Sequence, residues 1–116
     1  MNNNKKYKIL LKELKKLLED NYGRFSNYQA IAPCVKDKIG NSIDGLYNQN
    51  QISLDSIRYD WLIKQIKPNK MSIIEIGSNL GYFVLRLISE FTVNAQAYET
   101  VAEYSRSTYL MAELCN

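Results

Sequence analysis

Along the first twenty residues the apolar positions Tyr7, Leu10, Leu11, Leu14, Leu17 and Leu18 recur at spacings of three and four. That is the stripe of an amphipathic helix with one buried face. It predicts a helix over residues 5–21 with Gly23 as its stop. Residues 24–50 sustain no period; Pro33, Gly40, Gly45 and many Asn and Ser side chains predict irregular structure, with a short helical turn near 28–32. Phe25, Tyr28 and Tyr47 in this stretch are read as packing beneath a loop, with the lining of a substrate pocket as the alternative.

A second helix is expected after Ser53, an N-capping residue type, with Asp55 in the first turn; it buries Leu54, Ile57, Trp61, Leu62 and Ile66 and stops at Pro68. Residues 67–70 form a polar turn. The isoleucine-rich run 71–76 then reads as a strand buried on both faces, as in parallel sheets. Leu80, Phe83, Val84, Leu87, Ile88 and Phe91 fit one helical face without a miss. Residues 93–98 predict a second strand. From Val101 the spacing of Tyr104, Ser105, Thr108, Met111, Ala112 and Cys115 predicts a last helix. The fold class is therefore α/β: N-terminal helices followed by the β-α-β-α opening of a doubly wound sheet. Three segments follow: 1–23, an amphipathic helix; 24–66, an irregular segment and a helix; and 67–116, the partial sheet domain.

Length and charge narrow the functions. With 116 residues, 46% of them hydrophobic, the chain suffices for one domain or part of one. The net charge of +3 lies wholly in the first twenty positions, where six basic residues face three acidic ones, while the remainder balances at nine each. One Lys-rich helix face is a solvated surface rather than a nucleic-acid interface, so nucleic acid is not the expected partner. There is no histidine, and Cys34 and Cys115 stand in no metal-ligand spacing, so neither a zinc site nor a His-based triad is expected. No run approaches the ~18 apolar residues of a membrane span, and the polar N-terminus is no signal core. A cytoplasmic location is the expectation.

The chemistry concentrates in Ile73-Ile74-Glu75-Ile76-Gly77-Ser78-Asn79-Leu80-Gly81-Tyr82-Phe83, where a strand turns through a Gly-containing loop into a helix. Gly77 and Gly81 admit backbone angles closed to other residues and let a ligand approach the main chain. Asn79 is the non-glycine residue type that best tolerates the left-handed region, and Ser78 completes the loop. Glu99, twenty-two positions after Gly77, ends the second strand, where a carboxylate can accept from both ribose hydroxyls of a nucleoside cofactor. An NAD-type G-x-G-x-x-G would need glycines at 77, 79 and 82, and only Gly77 qualifies.

The pattern formed by Glu75, Gly77, Asn79 and Gly81 resembles, with one substitution, the acidic-x-G-x-G-x-G signature of class I S-adenosylmethionine-dependent methyltransferases. With Tyr82-Phe83 after the loop and Tyr98-Glu99 closing the second strand, it resembles the FkbM-type branch in particular. The resemblance covers residues 71–116 and implies a Rossmann-like sheet with S-adenosyl-L-methionine as cofactor. It implies that Glu75 fixes the loop near the cofactor's amino group, that Gly77, Ser78, Asn79 and Gly81 pass close to it, and that Glu99 holds the ribose; Tyr82 either covers the cofactor or packs. It names no catalytic residue here.

A full member has seven strands, so the resemblance also implies a truncated sheet, a chain inactive by itself, and a missing C-terminal part or partner chain that completes it. The acceptor it suggests is a sugar or small-metabolite hydroxyl. The competing expectation is a non-catalytic interaction or regulatory module, in which the leucine-striped first helix docks on a partner.

Overall fold

A computed structural model describes residues 3–25 and 30–116. The chain is mixed α/β and mostly helical. Helices α1 (Asn3–Asp20), α2 (Tyr22–Phe25), α3 (Pro33–Ile39) and α4 (Ile52–Ile66) precede strand β1 (Met71–Ile76), α5 (Tyr82–Glu90), strand β2 (Val93–Tyr98) and α6 (Ala102–Cys115). The strands pair in parallel, Met71 opposite Val93 through Ile76 opposite Tyr98. Hydrogen bonds from Lys70 N–H to Thr92 O (2.6 Å) and from Gly77 N–H to Tyr98 O (2.8 Å) extend the ladder at both ends.

The main core lies between α1, α3, α5 and α6. Leu14 and Leu18 of α1 are fully buried against Val35, Leu80, Leu110, Met111 and Leu114, as the leucine stripe predicts. At the rim, Arg106 of α6 donates to both carboxylate oxygens of Glu13 of α1 (2.7 and 3.0 Å). A smaller cluster of Tyr59, Tyr82, Leu87 and Ala30 joins α4 to α5.

Several expectations are corrected. Gly23 is not the stop of the first helix: α1 ends at Asp20, and Gly23 sits inside the short turn α2. Residues 33–39 form helix α3, not irregular structure, with Pro33 in the first turn, where its missing N–H costs nothing. Tyr47 packs in the core, whereas Tyr28 and the Phe25 side chain lie outside the described residues. Ser53 does not cap α4, because the helix begins at Ile52 with Gln51 before it. Its C-terminus follows the expected logic: Lys67 is left-handed, its N–H bonds to Ile63 O at 2.9 Å, and Pro68 follows.

The apolar face of α4 differs most. Tyr59 and Asp55 are buried, while Leu54, Ile57 and Trp61 are exposed, Trp61 by 64%. The cause is Asp55, whose carboxylate accepts from the Ala30 N–H at 2.9 Å and turns that side of the helix inwards. Strand β1 is likewise covered on one face only: Ile74 and Ile76 are exposed on the other, beside Tyr98 of β2. No described helix is long and apolar enough to cross a membrane.

Removing the Asp55 carboxylate strands a buried N–H, which typically costs ~1–3 kcal/mol. Asp55→Ala is accordingly expected to lower the free energy of unfolding by that amount, read as a lower denaturant midpoint at an unchanged slope; an unchanged midpoint would show that this bond does not seat α4.

Candidate functional site

The loop after β1 is built from three left-handed residues, Gly77 (φ 71°), Asn79 (φ 54°) and Gly81 (φ 77°). Alternating them with Ser78 and Leu80 reverses the chain within one turn between strand and helix. The two glycines have different reasons to be there. At Gly81 an added Cβ would meet Thr108 Cγ2 at 2.5 Å, so α6 packs directly on the loop; around Gly77 nothing lies within 4 Å of such an atom. Gly81 is a packing requirement. Gly77 faces open space.

Glu99 holds this loop. One carboxylate oxygen accepts from the Asn79 N–H (2.8 Å) and the other from the Val101 N–H at the start of α6 (2.9 Å). Thr108 completes the bracket by donating to Asn79 O at 2.9 Å. The Gly77 and Ser78 N–H groups both reach Tyr98 O, at 2.8 and 3.3 Å, and the Gly81 N–H reaches Ser78 O at 2.8 Å. The loop amides of residues 77, 78, 79 and 81 therefore all have protein partners. What the loop offers a ligand is the bare Cα of Gly77 and acceptor groups.

The expected site residues divide between two concavities. Glu75, Gly77 and Asn79 line an open groove of about 720 Å³. Ile57, Arg58 and Trp61 of α4 line it as well, together with Phe83 of α5. Ser78 and Glu99 instead line a hollow of about 300 Å³ on the α6 side of the loop, where Ala95 and Ala97 leave room. Gly81 and Tyr82 are buried, and Tyr82 accepts a hydrogen bond from Arg86 at 3.0 Å; the structure uses Tyr82 for packing.

Sequence reasoning missed Arg58 and Trp61. Arg58 approaches Asp55 at 3.5 Å but is itself 58% exposed, so its guanidinium can reach a ligand anion in the groove. Residues 57 and 61 lie on the side of α4 away from the buried Asp55 and Tyr59, and Arg58, one turn from Asp55, stands between the two faces, an orientation that nothing in the local sequence signals.

Burial pushes the Glu75 carboxyl up from its ordinary 4.5 to about 7, because desolvation disfavours the charged form. It is a groove-lining acid that exchanges its proton near neutrality. Among the described residues no cluster of three or more His, Cys, Asp or Glu side chains forms a metal site.

Two stability predictions follow from the loop and from Glu75. Gly81→Ala combines a left-handed penalty with a steric clash and is expected to destabilise by ~2–4 kcal/mol, less in a Thr108→Ser background, where the clashing methyl is gone; equal losses in both backgrounds would remove the clash from the explanation. For Glu75, the unfolded chain ionises near 4.5 and the folded chain near 7, so stability falls as pH rises through that interval. Glu75→Gln should therefore stabilise by ~1–3 kcal/mol at pH 8, the gain vanishing by pH 4; a gain independent of pH in chemical denaturation would contradict the buried-acid account.

No family model matches the chain, and no curated protein or solved structure matches it either.

Proposed function

We propose that the loop after β1 and the groove beside it are the cofactor-binding corner of an S-adenosylmethionine-dependent methyltransferase with a Rossmann-like sheet. The observation that carries this reading is the open face at Gly77, set in a loop whose left-handed turns and bracing by Glu99 keep it fixed. A nucleoside cofactor needs such a place at the carboxyl end of a strand, where its flat and charged parts lie against main chain without a side chain between them.

The chemistry of the lining supports this cofactor. S-adenosylmethionine brings a sulfonium, an ammonium and two ribose hydroxyls, which are cationic groups or donors, and one carboxylate. The amides of residues 77, 78, 79 and 81 are occupied, and the protein side offers acceptors: Glu75 in the groove and the remaining lone pairs of Glu99. Arg58 in the same groove fits the carboxylate. Glu75 ionises when a cation enters beside it and stabilises that cation; Glu99 accepts from the ribose while still holding the loop. The bound cofactor supplies an activated methyl group, and these residues position it. A sugar or small-metabolite hydroxyl remains the proposed acceptor.

The second reading, a non-catalytic interaction module, is favoured by one observation. The outer sheet face exposes Ile74 (65%), Ile76 (85%) and Tyr98 (56%), an apolar surface suited to cover by further strands or a partner chain.

Isothermal titration calorimetry separates the two readings. S-adenosylmethionine, not NAD, is expected to give a binding isotherm, with proton release near pH 7 revealed by heats that depend on the buffer. Gly77→Val should abolish binding by filling the open face, and Glu99→Ala should weaken it by ~1–3 kcal/mol. No heat with S-adenosylmethionine from this chain or any longer product of its gene would leave the interaction module as the reading.

A further inference from the structure

Cys34 and Cys115 are 81 positions apart in sequence, yet α3 and α6 bring them together. Cys115 Sγ lies 3.8 Å from the Cys34 carbonyl oxygen, and Cys34 Sγ lies 3.8 Å from Leu85 O. Both side chains are half-buried against the main core.

We propose that Cys34 and Cys115 are a redox pair that closes to an intramolecular disulfide between α3 and α6 when the protein meets an oxidised low-molecular-weight disulfide.

The roles of the two sulfurs differ. The nearby Cys115 thiol pulls the Cys34 thiol down to about 6 against the opposing effect of burial. The Cys115 thiol, its partner in the pair, is pushed up. Cys34 is thus the thiolate nucleophile at neutral pH. It attacks one sulfur of the small disulfide, forming a mixed disulfide and releasing one small thiolate. Cys115 then loses its proton and attacks the Cys34 sulfur, forming the protein disulfide and releasing the second small thiolate. Both protein thiols are oxidised, and the two electrons leave on the two small thiols.

The bond would join the end of α6 to α3. Thr108 of the same helix holds the Asn79 carbonyl, so closure braces the helix that backs the loop.

The test is treatment of the folded 116-residue chain with oxidised glutathione at pH 7, followed by peptide mapping without reduction. The expected product is one Cys34–Cys115 cross-link with loss of two hydrogens and no retained glutathione. Cys115→Ser should instead trap a glutathionyl group on Cys34, and Cys34→Ser should react far more slowly at Cys115. Two glutathionyl groups on one wild-type chain, cross-links only between chains, or two thiols left unreacted would each overturn the proposal. The wild-type map decides even if a serine variant fails to fold. It involves no cofactor, so its outcome is independent of the methyltransferase reading.

Discussion

One carboxylate joins the two halves of the sheet unit. Glu99 sits where β2 ends, and its oxygens take the amide of Asn79 from the preceding loop and that of Val101 at the entry to α6. Charged hydrogen bonds of this kind are among the stronger ones available to a protein. Without this bracket the left-handed residue Asn79 would have no partner for its amide, and α6 would lose the contact that sets its start against the loop. The close approach of Thr108 to Gly81 depends on the same alignment. The face at Gly77 stays open while the amides of residues 77, 78 and 79 are held by Tyr98 O and Glu99.

The cover of the sheet is the second constraint. Two parallel strands have helices α5 and α6 on one face, and the other is left bare with Ile74, Ile76 and Tyr98 exposed. Such sheets are normally covered on both faces, so the composition of β1 reflects a demand that the described residues do not meet. Part of the same surplus appears on α4, where Ile57 and Trp61 line the groove together with Glu75 and Gly77. Apolar side chains, an acid that titrates near neutrality and an arginine give the groove the mixed character of a small-molecule site.

The elements with one strong period were legible in the sequence. The leucine stripe of α1, the run of β1 and the apolar face of α5 have no competing interpretation, and the left-handed loop residues follow from side chains that tolerate such angles. The N-terminal middle of the chain was not legible, because α3 is only seven residues long and too short to establish a helical period. In α4 the hydrophobic pattern pointed the wrong way round. A single buried aspartate, paired with a distant amide at Ala30, outweighed the preference of an indole for the interior, and no local rule anticipates a partner twenty-five residues away. The structural task of Glu99 was not visible: its position at the strand end suggested ligand binding, whereas its bonds to the backbone depend on where α6 starts.

The bracket formed by Glu99 can be tested by amide hydrogen exchange on the wild-type chain and Glu99→Ala, which removes both acceptor oxygens. If one carboxylate joins loop to helix, the Asn79 and Val101 amides lose protection together in the variant, while β1–β2 ladder amides keep theirs. Loss at only one of the two amides, or unchanged protection at both, would show that the loop is held by other means and would contradict the account.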